Sequence, residues 1–171
     1  MNIVLVGFMG TGKTTIGKLL ANKFKTKYKY ISTDEVIEDK ERRTIQEIFK
    51  KEGEPYFRKT EKEIVAHVSE LNNFIIDAGG GIMLDEDNIN NLKRNGTIIC
   101  LNASPEVIFE RTKKYRHRRP LLNVDNPLEK IKELLDKRAI YYAKADFTID
   151  TSNLTVDEIV LKITEIVETK K

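Results

Sequence analysis

A lysine and two threonines follow a glycine-rich turn near the start of the chain, in the stretch GFMGTGKTT at positions 7–15. Gly7, Gly12, Lys13 and Thr14 match the pattern G-x-x-x-x-G-K-[ST], directly behind the apolar run IVLV. Glycines let successive backbone N–H groups surround phosphate oxygens, and the helix that begins near Lys13 directs its positive end at the same anion. We expect Lys13 to reach the β- and γ-phosphates and Thr14 to offer its hydroxyl to Mg²⁺. The loop residues expected to bind the nucleotide are Gly10, Thr11, Gly12, Lys13, Thr14 and Thr15.

Charged residues elsewhere could bind the molecule that receives the phosphate. Asp34 directly follows YKYIST, so it should stand at the carboxyl end of a strand, where a carboxylate could accept a hydroxyl proton or help to hold Mg²⁺. It could equally be the N-cap of a helix over DEVIEDK. Arg58 follows an aromatic pair in GEPYFRKTE, and a guanidinium suits a carboxylate ligand, although a lone arginine is usually a solvated surface group. Glu61 follows Arg58 by one helical turn and could orient it, whereas acids in such a segment are mostly surface charge.

Two further features complete the set of candidate acceptor residues. Arg138 lies on a predicted helix among apolar neighbours, where a charge is costly without a partner. Gly79, Gly80 and Gly81 follow the strand-like run NFIIDA. Consecutive glycines let the backbone approach a ligand closely, although they can also form a flexible turn.

Alternating strand-like and helix-like segments must position these residues. Short, β-branched apolar runs typical of strands buried on both faces cover residues 2–7, 28–33, 73–78, 96–102 and 146–150. Helix-period segments such as KTTIGKLLANKF and TVDEIVLKITEIVE lie between or after them, and Ser104 before Pro105 is typical of a helix N-cap. The pattern predicts one doubly wound α/β domain over residues 1–171, with ligands at the carboxyl ends of its strands.

Composition narrows the class of protein. Hydrophobic residues make up 40% of the 171 residues and charged residues 33%, which is typical of a globular protein. The net charge of +3 is too small to indicate nucleic acid by itself, and the basic run RTKKYRHRRP is more simply a solvated face. The one cysteine, Cys100, excludes an internal disulfide and is expected in the core. With no signal peptide or membrane span evident, we expect a cytoplasmic protein that binds neither nucleic acid nor membranes.

The order of six segments resembles the shikimate kinase family. They are GFMGTGKTTIG, TDEVIE, TIQEIFKKEGEPYFRKTE, GGG, RRPLL and KRAIYYAKADFTIDT, which run from Gly7 to about Thr151. Many nucleotide-binding proteins share the phosphate loop, whereas EIFKKEGEPYFRKTE with the triple glycine is specific to this family. The resemblance implies ATP-dependent phosphorylation of the shikimate 3-hydroxyl, a step towards chorismate and the aromatic amino acids. It also implies the P-loop kinase fold of nucleoside monophosphate kinases, a five-stranded parallel sheet in the order 2-3-1-4-5 flanked by helices.

The resemblance also implies roles for individual residues. Asp34 would bind the substrate hydroxyls and take the proton from the attacking one, while Arg58 and Arg138 would hold the shikimate carboxylate. Gly80 would contact the ligand through its backbone, with the glycines on either side shaping the turn. Arg119, in a lid at about residues 112–124, would close over the ATP phosphates and act in catalysis together with Lys13 and Asp34. The substrate-binding region would span about residues 32–61. ATP and shikimate are the expected partners, Mg²⁺ the expected cofactor, and a monomer the expected state.

Two departures from the family pattern affect these roles. Members commonly have Asp-x-Asp where this chain has Ser32, Thr33 and Asp34, so the first carboxylate is missing. Asp77 ends the run FIID, where many relatives have an uncharged residue, and we hypothesise that it takes an outer-shell role at Mg²⁺; otherwise it caps the glycine turn or faces solvent. The stretch IDTSNLTV also departs from the pattern, so no side chain in it is assigned to adenine.

Two other functions remain open at this point. A related small-molecule kinase, such as a gluconate kinase, would share the phosphate loop, but Arg58, Arg138 and the triple glycine argue against it. A nucleotide-binding regulatory domain without phosphotransfer is supported only by the acid missing at Ser32.

Overall fold

A parallel sheet of five strands forms the centre of the computed structural model, which describes residues 1–115 and 120–169. The strand order is β2-β3-β1-β4-β5, and every neighbouring pair is parallel, so the predicted order is confirmed. The strands are β1 (Asn2–Val6), β2 (Lys29–Ser32), β3 (Phe74–Asp77), β4 (Gly96–Asn102) and β5 (Phe147–Asp150).

Helices cover both faces of this sheet. In the described part of the chain they are α1 (Lys13–Lys23), α2 (Thr33–Glu41), α3 (Ile45–Ser69), α4 (Glu86–Arg94), α5 (Pro105–Thr112), α6 (Pro127–Tyr142) and α7 (Val156–Thr169). Gly53, with φ +81° and ψ 175°, interrupts the helical geometry of α3 and divides it into two helical parts that meet at a kink. The hydroxyl of Ser104 accepts a hydrogen bond from the N–H of Val107, which confirms the predicted N-cap of α5. None of the described helices is both long and apolar enough to cross a membrane.

The apolar run of β1 is buried on both faces because its side chains alternate between two cores. Ile3 and Leu5 pack with residues of α1 and α7, whereas Val4 and Val6 pack with residues of α3 and α4. All four side chains are fully buried. The central position of β1 therefore explains its continuous hydrophobicity, and it directs the loop that follows to the carboxyl edge of the sheet.

The chain turns from β2 into α2 earlier than the sequence pattern predicts. β2 ends at Ser32, and Thr33 is already helical, although the predicted strand extends to residue 33. The Ser32 hydroxyl caps the helix by accepting a hydrogen bond from the N–H of Glu35. Asp34 therefore lies in the first turn of α2 and is not its N-cap, a role that Ser32 takes.

Candidate active site

The phosphate-binding loop joins β1 to α1 and depends on backbone conformations that glycine adopts readily. Gly7 has φ +136°, and a Cβ there would lie 2.1 Å from the carbonyl oxygen of Leu101. Gly12, at φ +99°, forms the N-cap of α1. Lys13 Nζ donates hydrogen bonds to the carbonyl oxygens of Gly7 at 2.9 Å and of Phe8 at 3.2 Å. The ammonium group is thus held inside the loop, where an anion would sit.

A carboxylate from β3 contacts the start of α1. Asp77 Oδ2 accepts hydrogen bonds from the hydroxyl of Thr14 at 2.6 Å and from the phenol of Tyr30 at 3.0 Å. Asp77 is only 5% exposed, so it does not face solvent. The glycine turn is held instead by Thr33, whose hydroxyl accepts from the N–H of Gly79 and donates to the carbonyl of Asp77. The Asp77 side chain therefore neither caps the glycine turn nor faces solvent, so these two predictions are wrong.

Each glycine of the triple-glycine turn lies against a different part of the site. A Cβ on Gly79 would lie 2.8 Å from Asp34 Oδ1 and 3.1 Å from Glu61 Oε1. A Cβ on Gly81 would lie 2.2 Å from Arg58 Nη1. Gly80 lies between the phosphate-binding loop and α6: its Cβ would be 3.4 Å from the carbonyl oxygen of Gly7 and 3.7 Å from Arg138 Nη1. The turn is therefore a close-packed junction of charged side chains, which rules out a loosely packed turn.

Arg58 and Glu61 form a charge pair on one face of α3. Arg58 Nη1 donates to Glu61 Oε2 at 2.7 Å, which confirms the predicted contact across one helical turn. Glu61 is only 2% exposed, so the interpretation of this acid as surface charge is wrong. Arg58 also donates to the exposed Glu54, at 3.1 Å from Nη2. Because both acids fix its guanidinium, Arg58 presents a preoriented donor group to the cavity.

Arg138 and Tyr142 lie one turn apart on α6, and both bind the same backbone carbonyl. Arg138 Nη1 donates to the oxygen of Gly80 at 3.1 Å, and the Tyr142 hydroxyl donates to it at 2.7 Å. Arg138 is 5% exposed, and its guanidinium also lies over the ring of Phe8. The charge of Arg138 is therefore stabilised by the carbonyl oxygen of Gly80 and by the face of the Phe8 ring.

Burial and neighbouring charges shift the pKa values of several groups in this site. Burial raises the pKa of Glu61 more than the attraction of Arg58 lowers it, and Asp34 adds to the rise. Burial also acts to lower the pKa of Arg58, but Glu61 and Glu54 outweigh it and the pKa is raised. For Tyr30, burial and then the charge of Asp77 raise the pKa. Burial raises the pKa of Tyr142 to about 12, so this phenol stays protonated.

One cavity of about 930 Å³ is lined by the charged groups of the site, including Lys13, Glu61 and Asp77. At one end it is bounded by the phosphate-binding loop with Thr15, and at the other by Asp34, Arg58, Arg138 and the triple glycine. The structure therefore brings together every described residue that the sequence predicts for the site. Arg119 lies outside the described residues, as does most of the basic run before it.

Three residues that line this site or bind its residues are not among those predicted from the sequence. Arg111 of α5 lines the cavity beyond the phosphate loop, and its guanidinium donates to the carbonyl oxygen of Thr151 at 2.9 Å and to the Thr151 hydroxyl at 3.0 Å. Tyr30 and Tyr142 contribute phenols to Asp77 and Gly80. The i, i+4 spacing of Arg138 and Tyr142 is the one signal that could have identified a member of this set, because such residues share a helix face.

The sheet order, the loop after β1 and the cavity at the carboxyl edge define a P-loop phosphotransferase with a site for a charged acceptor. A sequence model of the family described as shikimate kinase matches residues 9–168. The chain belongs to the shikimate kinase family.

Individual relatives are similar over nearly their whole length. The shikimate kinase of Thermodesulfovibrio yellowstonii is 50% identical over 162 residues, which cover 95% of this chain and 92% of the relative. That of Thermoanaerobacter pseudethanolicus is 48% identical over 158 residues, with 92% and 91% covered. Among solved structures, the shikimate kinase of Acinetobacter baumannii in complex with shikimate superposes with a TM-score of 0.92 at 35% identity, covering 99% of this chain and 94% of that chain.

Proposed function

We propose that this protein is a shikimate kinase, which transfers the γ-phosphoryl group of ATP to the 3-hydroxyl of shikimate. The observation that carries the proposal is the convergence of Asp34, Arg58 and Arg138 on one glycine turn, in the same cavity as the phosphate-binding loop. Two guanidinium groups and one carboxylate suit an acceptor that carries both an acid and hydroxyl groups. Gluconate also carries both, but the family to which the chain belongs favours shikimate.

Arg58 and Arg138 are proposed to bind the acceptor carboxylate. They approach from α3 and α6, on two sides of the triple-glycine turn, so a planar carboxylate between them can accept from both. Charge-assisted hydrogen bonds of this kind contribute about 1.5–3 kcal/mol each. The backbone of the glycine turn completes this end of the site, because Gly79, Gly80 and Gly81 present no side chains to the ligand.

Asp34 is proposed as the general base for the transfer. Its carboxylate takes the proton of the 3-hydroxyl while that oxygen forms a bond to the γ-phosphorus. The bond from the γ-phosphorus to the β,γ-bridging oxygen breaks, and ADP leaves with that electron pair. Lys13 stabilises the charge on the β- and γ-phosphates, and Arg119, in a lid at about residues 112–124, stabilises the charge that develops in the transition state.

The carboxyl edge of β3 fits a magnesium ion. Thr14 Oγ1 and Asp77 Oδ2 lie 2.6 Å apart beside the phosphate-binding loop. Mg²⁺ prefers oxygen ligands and is usually bound by only one or two protein carboxylates. We propose Thr14 as a ligand and Asp77 as the outer-shell carboxylate that Ser32 does not supply. When bound, Mg²⁺ neutralises charge on the β- and γ-phosphates.

The remaining assignments are part of the same proposal. Residues 1–171 form one kinase domain, with the phosphate loop at 7–15 and the substrate-binding region at about 32–61. Arg111 and Leu154 line the cavity beyond the phosphate loop, so the nucleoside of ATP is proposed to lie there. The protein acts as a cytoplasmic monomer and needs neither nucleic acid nor a membrane.

A coupled assay of ADP release tests the proposal directly. The purified protein is given MgATP with shikimate, with gluconate or with no acceptor. We expect rapid ADP release with shikimate only. Equal rates with gluconate would indicate a related sugar-acid kinase, and no acceptor-dependent release would indicate a regulatory nucleotide-binding domain.

A further inference from the structure

The Gly80 carbonyl accepts hydrogen bonds from two side chains of α6, Arg138 and Tyr142. Arg138 is also proposed to bind the acceptor carboxylate, whereas Tyr142 is not. A carbonyl oxygen has two lone pairs, so the Arg138 guanidinium at 3.1 Å and the Tyr142 hydroxyl at 2.7 Å can bind it together. Tyr142 makes the shorter contact. Because burial raises its pKa to about 12, the phenol remains a neutral donor throughout the working pH range.

The ring of Tyr142 is held more firmly than a surface side chain would be. It packs against two hydrophobic clusters, one containing Ile76 and Ile98 of the sheet and one containing Phe8 and Ile131. A ring fixed on both sides gives its hydroxyl a defined position. The packed ring therefore restricts the positions that the hydroxyl can take.

Holding the Gly80 carbonyl also sets the direction of the next N–H. The chain contains no cis peptide bond among the described residues, so the carbonyl of Gly80 and the N–H of Gly81 point in opposite directions within one rigid plane. This plane lies beside the phosphate-binding loop, since a Cβ on Gly80 would be 3.4 Å from the Gly7 carbonyl oxygen and 3.7 Å from the N atom of Met9. It also lines the cavity. The peptide thus stands at the boundary between the nucleotide end and the acceptor end.

We propose that Tyr142 is a positioning residue for phosphoryl transfer, whose hydroxyl fixes the peptide plane between Gly80 and Gly81 beside the phosphate-binding loop. The inference rests on the proposed function. Arg138 shares its donors between Gly80 and the acceptor carboxylate, so Tyr142 is the donor that keeps the plane fixed when the acceptor is bound. The Gly81 N–H of this plane would then donate to charge that develops in the transition state, whereas ground-state binding depends on the two arginines.

The test compares Tyr142→Phe with Tyr141→Phe. Both remove one phenolic oxygen from α6, and both rings pack against the same hydrophobic cluster, but the hydroxyl that donates to the Gly80 carbonyl is that of Tyr142. We expect Tyr142→Phe to lower kcat about tenfold, less than the loss of a whole oxyanion donor, with the KM values for shikimate and ATP changed less than about threefold. Tyr141→Phe should retain the kcat of the unaltered protein.

A second readout separates positioning from a loss of folded protein. The dissociation constant of a complex with MgADP, aluminium fluoride and shikimate, which mimics the transition state, should rise about tenfold in Tyr142→Phe, while that of shikimate alone stays unchanged. Thermal unfolding is followed at saturating shikimate and MgADP, which stabilise the folded state by mass action. Any of three results would overturn the inference. They are a kcat of Tyr142→Phe within twofold of that of the unaltered protein, an equal loss of kcat in Tyr141→Phe, and a rise confined to the KM for shikimate. Because the unaltered protein is assayed in parallel, failure of the proposed function itself would appear as absent shikimate-dependent turnover in that sample.

Discussion

The hydroxyl of Thr14 donates a 2.6 Å hydrogen bond to the buried carboxylate of Asp77, and this contact joins the first turn of α1 to the carboxyl end of β3. Asp77 and Ser32 are register partners on neighbouring strands, so the two side chains occupy equivalent positions at the same edge of the sheet. A carboxylate at either position would lie at the edge of the sheet where the magnesium site is proposed. This chain carries the carboxylate on β3, where the phenol of Tyr30 also binds it.

We expect Asp77→Asn to raise the Mg²⁺ concentration needed for half-maximal rate, because the amide keeps the shape but removes the negative charge. Adding Ser32→Asp should restore much of the loss, since the charge returns to the neighbouring strand end. A titration of rate against free Mg²⁺ at saturating ATP measures both effects. The matched control is Asp150→Asn at the carboxyl end of β5, where the carboxylate binds Ser152; it should leave the Mg²⁺ dependence unchanged. An unchanged dependence in Asp77→Asn would contradict the metal role.

Replacing either arginine of the acceptor site should weaken shikimate binding much more than ATP binding. In Arg58→Ala or Arg138→Ala, the loss of about 1.5–3 kcal/mol corresponds to a rise of roughly 10- to 150-fold in the KM for shikimate. Lysine should restore binding only in part, because a point charge does not reproduce the planar fork. Arg43→Ala, which removes an arginine paired with Glu41 and Glu52 outside the cavity, is the control and should leave both KM values unchanged. Equal losses for both substrates would show that the arginines only support the fold.

A methyl group at Gly81 should act through Arg58. Gly81 has φ −102° and ψ −6°, a conformation open to alanine, but the added Cβ would lie 2.2 Å from Arg58 Nη1. We therefore expect Gly81→Ala to raise the KM for shikimate about as much as Arg58→Ala does, through displacement of the guanidinium. In a double-mutant cycle, Gly81→Ala should add little to Arg58→Ala, because the group it displaces is already absent. Fully additive losses would show that the methyl group disturbs the turn in another way.

Arg119→Ala should lower kcat strongly, by up to roughly 10³-fold, if this arginine stabilises the transition state as an arginine finger does. The neighbouring Arg118→Ala removes the same charge from the same run and should have a much smaller effect. Hydrogen exchange measured on peptides of residues 112–124 should slow when ATP and shikimate are added, as expected for a lid that closes. Exchange that ligands do not alter would argue against closure.

The buried carboxyl group of Glu61 should make folding stability depend on pH in a defined direction. Its pKa is raised in the folded state above the ordinary value near 4.5, so the folded state binds this proton more tightly than the unfolded state. Its contribution is therefore fully present below about pH 4.5 and declines as pH rises through the raised pKa. The free energy of unfolding of the unaltered protein, minus that of Glu61→Gln, should fall across this range in urea titrations.

Glu63 offers a control of opposite sign for the same measurement. It lies on the exposed side of α3, and its hydrogen bond with Lys40 lowers the pKa of its carboxyl group. The corresponding difference for Glu63→Gln should rise slightly as pH increases, because a lowered pKa favours the ionised folded state. A difference for Glu61→Gln that also rises with pH would mean that the attraction of Arg58 outweighs burial.

Local rules were sufficient for much of this protein. The alternation of side chains in a strand makes IVLV a strand buried on both faces, and the spacing of Gly12, Lys13 and Thr14 defines the phosphate loop without reference to the rest of the chain. The contact of Arg58 with Glu61 also follows from one turn of helix. Each of these features depends on residues a few positions apart, whose relative placement is set by backbone geometry. The sheet order, by contrast, was predicted from the family resemblance and not from the periodicity of the strands.

Only the tertiary structure decided which distant groups share a hydrogen bond. Asp77 binds Thr14 and Tyr142 binds Gly80 because parallel strands and the α6 helix bring their ends to one edge of the sheet, and no spacing in the sequence encodes these pairs. The burial of Glu61 likewise depends on the glycine turn that packs against it, which is why its sequence context resembles surface charge. Contacts between distant segments depend on how whole helices and strands pack. That packing is stabilised by many weak van der Waals contacts between residues far apart in the sequence, so no short stretch of sequence determines it.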